Sequence, residues 1–292
     1  MTIVRFGFVP NPFAVAYYAA VSRGCFARLG LRIEETRFRN GSAVADALAA
    51  GQIDCGVGGH LQTLEAAHAG HDQLLIAPLG YEEPPDHLCI ALVSRLDNVT
   101  SGKDLEGRTV AFSARGAMSD LQLRIFMDAS RADFHRLRIV LMPFSRMSDA
   151  LRNREVDAAS IVEPFASAIV ASGTGRLIER GSLSARQPLG KRALIAGVAT
   201  SRDWLAGHPA TAASVAQAVR EGIAILRRDQ DTARRMISEY TGVPSAITSH
   251  MQLPAFYPDL DPRDLQWVFD LATALGVVDR GAHAENLIAR VE

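Results

Sequence analysis

Two stretches of the chain, about a hundred residues apart, carry the same phrase. Gly41 to Gly59 reads GSAVADALAAGQIDCGVGG, and Ser145 to Glu163 reads SRMSDALRNREVDAASIVE. Asp46-Ala47-Leu48 followed by Asp54 matches Asp149-Ala150-Leu151 followed by Asp157 at identical spacing. In the first copy Ser42 is placed to cap a helix, because a short side-chain oxygen accepts from the free N–H groups of a first turn. Val44, Ala47 and Leu48 recur at helical spacing. Gly51 supplies the left-handed residue that ends a helix. Ile53, Cys55 and Val57 then alternate as a strand, closed by Gly58-Gly59. A helix, a stop and a strand repeated at this distance predict two similar α/β units.

The surrounding segments extend the same order. Strands are predicted over Ile3–Val9, Leu31–Phe38 and Leu74–Pro78, with helices over Phe13–Ser22 and Leu61–Ala69. The second unit repeats them with strands over Arg108–Ser113, Leu137–Met142 and Val156–Val162. A helix leads from Met118 to Ala129, another contains Ser148–Arg152, and a third starts at Glu163-Pro164 with proline at its favoured first position. Strands alternating with helices call for a mostly parallel sheet covered on both faces. After an apolar stretch at Ala193–Thr200 the pattern turns helical, at Trp204–Ala206, Pro209–Arg228, Asp231–Tyr240 and Asp261–Leu275. The economical topology returns this tail to the first unit. Lobe one is then 1–92 plus 196–292 and lobe two is 93–195. His87–Val93 and Ala193–Ala199 cross between them as a two-strand hinge, with a cleft between the lobes.

Composition narrows the function. A formal net charge of −1 with no long basic run argues against nucleic acid as a partner. Cys25, Cys55 and Cys89 are three widely spaced cysteines in apolar settings, which read as small buried hydrophobes. No metal site or cofactor is expected. His68 and His71 flank Gly70 at a helix end, and Gly56-Val57-Gly58-Gly59 lacks the spacing of a dinucleotide or phosphate loop. No apolar run is long enough for a membrane helix. Met1 leads straight into a strand, without the charged and apolar regions of a secretory signal.

The order of these phrases resembles the solute-binding proteins of ABC importers for nitrate, sulfonates, taurine and thiamine precursors. The resemblance is carried by Val9–Pro12 with Tyr17–Leu31, where Ser22-Arg23-Gly24-Cys25-Phe26 and Leu29-Gly30-Leu31 fit a family phrase. Gly41–Gly59, Asp104–Arg108 and Val156–Ala159 through Glu163-Pro164 continue it, so that most of the first 200 residues are covered. It implies an α/β, two-lobed class II periplasmic-binding-protein fold. It further implies a small, anionic organic solute, a membrane permease as partner, a monomer, and a periplasmic location with the signal removed. A cytoplasmic location is the alternative.

In parallel α/β sheets ligands sit outside the carboxyl ends of the strands, so the turns after each strand are the candidates. Asn11, Pro12 and Phe13 follow the first strand, Gly41 and Ser42 the second, and Gly59 and His60 the third. In the second unit Ser113, Arg115, Gly116, Ala117 and Met118 follow one strand, Phe144-Ser145 another, and Glu163 a third. Gly41-Ser42 and Gly116-Ala117-Met118 open helices, whose free N–H groups suit an anion. Ser42 alternatively is only a cap. Arg115 is expected to pair with a carboxylate or sulfonate, or else to be solvated at the surface. His60 is a hydrogen-bonding wall residue or a side chain near a helix cap. Glu163, by the resemblance, faces the cleft and accepts from the solute; its alternative is a charge that favours the helix dipole.

The expected function is capture of a sulfonate, nitrate, carboxylate or similar solute between two lobes, without catalysis. The alternative is an enzyme on the same fold, such as a thiamine-pyrimidine synthase, a desulfinase or a menaquinone-pathway enzyme. The cysteine-rich run of the first is absent, and Pro10-Asn11 stands where the desulfinase has its nucleophilic cysteine. An effector-sensing half of a LysR-type regulator is a third reading, without the helix-turn-helix that would precede it.

Overall fold

The repeated phrase folds twice in the same way in the computed structural model, which describes residues 1–291. The first run of elements is β1 (Thr2–Phe8), α1 (Val15–Ser22), α2 (Cys25–Arg28), β2 (Leu31–Arg37), α3 (Gly41–Ala49), β3 (Cys55–Gly59), α4 (His60–His68) and β4 (Gln73–Glu82). The second is β5 (Ile90–Ser94), β6 (Thr109–Phe112), α5 (Met118–Ala129), β7 (Arg138–Leu141), α6 (Phe144–Arg152), β8 (Ala158–Val162), α7 (Phe165–Ala171) and β9 (Arg176–Arg180). The tail carries β10 (Ala193–Ser201), α8 (Arg202–Gly207), α9 (Pro209–Arg228), α10 (Gln230–Thr241), α11 (Ser245–Thr248) and α12 (Pro262–Ala274).

Two five-stranded sheets result, in the orders β2-β1-β3-β10-β4 and β7-β6-β8-β5-β9. Each is a parallel sheet with one antiparallel strand inserted: β10 runs against β3 and β4, and β5 against β8 and β9. The inserted strand is in each case the one that arrives from the other sheet. The chain leaves β4 for β5 through residues 83–89 and returns from β9 to β10 through residues 181–192. Strand β9 is not foretold by the sequence. Its residues RLIER are half-exposed and charged at both ends, so an edge strand shows no apolar signature there.

Each sheet is tied by the aspartate of its repeat. The Asp54 carboxylate accepts from the Arg5 N–H at 2.8 Å and from the Arg5 guanidinium, joining the end of α3's loop to β1. Asp157 accepts from the Thr109 N–H at 3.0 Å and pairs with Arg95, joining β8's loop to β6 and β5. The matching carbonyls are also claimed: Thr200 Oγ1 donates to Asp54 at 2.7 Å, and Ser94 Oγ to Asp157 at 2.9 Å. The helix ends match too. Gly51 has φ +65°, and its counterpart Arg154 adopts φ +62°, a left-handed conformation that costs an L side chain about 1–2 kcal/mol.

Two expected caps move. Asn40, extended at φ −161°, caps α3 by accepting from Ala43 N–H at 3.0 Å, and Ser42 lies inside the first turn. Asparagine caps as well as serine does, and from this position its oxygen reaches the third N–H. Pro164 stands just before α7 rather than as its first residue.

The tail packs on the first sheet's helices. Tyr240 of α10 stacks on Tyr18 of α1 with ring centroids 3.6 Å apart, and Tyr17 stacks on Phe6 of β1 at 4.1 Å. Trp267 of α12 donates its indole N–H to the Arg192 carbonyl at 2.9 Å, fixing the chain where it re-enters β10.

The twin aspartates carry an expectation. Hydrogen bonds to charged groups contribute about 1.5–3 kcal/mol, and an abandoned buried N–H adds its own penalty. Asp54→Ala and Asp157→Ala should each lose about 2–3 kcal/mol, and the two asparagine variants, which keep one acceptor, should lose less. Urea unfolding reads this as a lowered midpoint at constant slope. An unchanged midpoint would mean that the aspartates do not tie the sheets.

Candidate functional site

The carboxyl ends of β1, β2 and β3 face those of β6 and β8 across a gap of about 590 Å³ that is open to solvent. Its wall is drawn from the turns that follow these strands and from the middle of the crossing strands, at Ile90, Ile195 and Ala196. Apolar groups dominate, with Phe13, Met118, Phe144 and Val162 among them. The polar wall groups are Asn11, Asn40, Gln62, Ser113 and Ser119. Among the described residues no Asp, Glu, Lys, Arg or His side chain lines the gap.

Positive potential reaches the gap from the backbone instead. Four helices start at its edge: α3 at Gly41, α4 just after Gly59, α5 just after Ala117 and α6 at Phe144. The first-turn N–H groups of a helix have no partner within it, and each N-terminus carries about half a positive charge. Two of these starts belong to the first sheet and two to the second, so they converge from both sides. The side chains support the same polarity. Asn11 Oδ1 is spent on Phe13 N–H at 2.9 Å and Ala14 N–H at 3.2 Å, leaving its Nδ2 group for the gap. Ser113 and Ser119 share a hydrogen bond at 3.2 Å, and Asn40 Nδ2 donates across the gap to the Ser113 carbonyl at 3.4 Å.

Of the residues singled out by sequence, Asn11, Phe13, Gly41, Gly59, Ser113, Ala117 and Met118 lie on this wall. Six do not. Pro12 is buried in the turn that opens with the Asn11 cap. Ser42 lies on the outer side of α3, with Asp46 and Glu65. Arg115 is exposed and off the wall, because the positive φ of Gly116 turns the chain between it and α5. Gly116 itself packs against Glu65, as described below. His60 is fully buried beside Phe269, with ring centroids 5.7 Å apart, and burial lowers its pKa to about 4, so the ring is neutral. Glu163 is fully buried and committed to the protein: it pairs with Arg180 and accepts from Ser167 N–H at 3.1 Å and Ser167 Oγ at 2.9 Å. Gln62 and Ser119 reach the wall from inside the first turns of α4 and α5. Both lie beyond the strand-end turns, which are the only positions the sequence rule marks.

Two carboxyl groups near the gap hold protons unusually tightly. Glu82, at the end of β4, is fully buried and accepts from Ile90 N–H at 2.6 Å; burial raises its pKa to about 8. Glu65 of α4 meets Gly116 from the opposite side of the gap. Gly116 has φ +68°, a conformation that favours glycine, and a Cβ there would stand 2.4 Å from Glu65 Oε2 and push that carboxyl aside. Burial first, then the charges of Asp120 and Asp279, raise Glu65 to about 7.

Comparison with known proteins adds to this geometry. Residues 1–240 match the NMT1-like family. A protein of Escherichia coli (strain K12) named for binding aliphatic sulfonates is 27% identical over 151 residues, which are 52% of this chain and 46% of that protein. The match thus spans less than half of the relative's length. The alkanesulfonate-binding protein SsuA from Xanthomonas axonopodis pv. citri, solved bound to MOPS, superposes with a TM-score of 0.82 at 21% identity, covering 99% of both chains. The periplasmic nitrate-binding protein NrtA from Synechocystis PCC 6803 superposes with a TM-score of 0.77 at 15% identity, over 98% of this chain and 84% of the other. At these identities the two structures establish the fold.

The Glu65 contact gives a pH dependence with a definite sign. A pKa raised in the folded state means that the folded state binds the proton more tightly than the unfolded chain does. The stabilisation is complete below the ordinary glutamate value and is lost as pH rises through about 7. Glu82 adds a slope of the same sign. Thermal unfolding followed from pH 5 to 8 should therefore show a steeper fall for the parent than for Glu65→Gln. Parallel curves would mean that Glu65 titrates as a free carboxyl.

Proposed function

The chain belongs to the NMT1-like family, and on that footing we propose that it is a solute-binding protein of an ABC importer, which captures a small organic anion of the sulfonate class between its two lobes. The observation that carries this reading is the convergence of four helix N-termini on a gap whose wall, among the described residues, bears no charged side chain. A sulfonate keeps its charge throughout the physiological pH range and presents three acceptor oxygens. Backbone N–H groups from both lobes, with Asn11 and Ser119, supply donors for them without a competing carboxylate. The alkyl or aryl body of the ligand lies against Phe13, Met118, Phe144 and Ile195. The names of the E. coli relative and of the Xanthomonas structure support the same class. The two passages between the sheets are the hinge on which the lobes close, and the delivery target is a membrane permease. A periplasmic location and a monomeric state belong to the same proposal.

Capture without catalysis agrees with the wall chemistry. General acid–base catalysis needs a titratable group within hydrogen-bond reach of the ligand. Among the described residues no such group lines the wall; of the buried ones behind it, Glu163 pairs with Arg180 and Glu82 Oε1 accepts from the Ile90 N–H.

A thermal-shift series against alkanesulfonates, nitrate and carboxylates tests the proposal. A ligand at a hundred times its Kd stabilises by about 2.7 kcal/mol, which is about 5–10 °C for a chain of this size. A sulfonate should produce the largest shift. Ala117→Trp, which fills the gap from the start of α5, should abolish it while keeping the melting temperature of the free protein. Arg115→Ala should leave affinity within about twofold of the parent. Loss of binding in Arg115→Ala would show that a side-chain charge, not the helix starts, holds the anion.

A further inference from the structure

A second chamber adjoins the gap, sharing Val9 and Phe144 with it and enclosing about 710 Å³ of space open to solvent. Arg37, Phe38 and Arg39 bound it on the side of the first sheet, and Phe144, Ser145 and Phe165 on the side of the second. Its chemistry differs from that of the gap. Arg37 ends β2 and Arg39 lies two residues further on, and both are exposed. Neither guanidinium has an ion-pair or hydrogen-bond partner among the described residues. The nearest carboxylates along β2 are engaged, Glu35 with Tyr17 at 2.7 Å and Glu34 with Arg32 at 2.6 Å. The opposite wall is aromatic: the rings of Phe144 and Phe165 lie 6.3 Å apart and inclined by 25°. A flat apolar wall thus faces two free guanidinium groups, each able to take a carboxylate or sulfonate through two parallel hydrogen bonds.

The two chambers are linked by the chain itself. Arg39 and Gly41 are two residues apart, which places their Cα atoms no more than about 7 Å from each other. Asn40, between them, lines the gap. One short loop therefore presents a helix start to the first chamber and a cationic pair to the second.

We propose that the second chamber is the distal subsite for the same solute, and that it takes a second anionic group: the preferred ligand is a bifunctional organic anion with a short, flat body. One charged end lies at the starts of α3, α4 and α5, the body lies against Phe144, and the other end lies at Arg37 and Arg39. This assignment rests on the reading of the gap as the seat of a sulfonate.

Calorimetric titration with benzenesulfonate and para-sulfobenzoate, against the parent and against the double variant Arg37→Gln with Arg39→Gln, tests it. Exposed charge pairs contribute up to about 1 kcal/mol, so the parent should bind para-sulfobenzoate about fivefold tighter than benzenesulfonate. The double variant should lose that preference and keep its affinity for benzenesulfonate. Equal affinities in the parent, or a preference that survives in the double variant, overturns the distal subsite and leaves the sulfonate reading standing. If neither compound binds the parent while other small anions do, the sulfonate reading fails and the subsite falls with it.

Discussion

The carboxylate of Asp54 accepts from an N–H of β1 and from the guanidinium of Arg5, and Asp157 does the same for β6 and Arg95. These contacts fix where β3 and β8 begin relative to their neighbours. In a strand a slip of one residue would exchange the two faces, so the position of each strand's far end is set at its near end. Five residues later the same strands deliver Gly59 and Val162 to the gap. The wall of the gap is thus located from the opposite edge of each sheet. Thr200 and Ser94, hydroxyl residues on the two inserted strands, bring β10 and β5 into the same arrangement.

From that frame the electrostatics of the gap follow. Parallel strands followed by helices place helix starts at the strands' carboxyl ends, and facing two such sheets toward each other directs the starts inward. The wall needs no lysine or arginine to favour an anion. Of the ionisable groups nearby, Glu65, with its pKa raised to about 7, is partly charged at neutral pH, and the others are neutral or paired. His60 is held neutral by burial, Glu82 keeps its proton through the neutral range, and Glu163 is matched by Arg180. Free cationic groups appear beyond the gap, at Arg37 and Arg39, where they extend the positive field outward.

Much of this was legible in the residues. The Asp-Ala-Leu repeat located both helix–strand units, and the rule of strand carboxyl ends located Asn11, Gly41, Gly59, Ser113 and Ala117. What escaped was information of another kind. Asn40 and Ser42 are both good caps, and only the backbone decides which of them sits at the boundary. Glu163 and Arg180 are 17 residues apart in sequence, and their pairing depends on β9, an edge strand too polar to be seen in the pattern. Arg115 reads in sequence equally as an anion contact or a solvated surface residue, and the left-handed Gly116, which sets it off the wall, is what the sequence alone does not weigh. Gln62 and Ser119 carry no such signal, because they lie within the first turns of α4 and α5, past the strand-end turns to which the rule points.

The central claim is that backbone N–H groups from both lobes hold an anion that no side-chain charge contacts. The most direct measurement compares butanesulfonate with its neutral isostere, butanesulfonamide, by calorimetric titration of the parent protein. Charged acceptors form hydrogen bonds roughly twice as strong as neutral ones. The account predicts that the sulfonamide binds at least about tenfold more weakly, a difference of about 1.4 kcal/mol. Equal affinities would contradict it, because shape and apolar contact would then account for recognition and the helix starts would have no part in it.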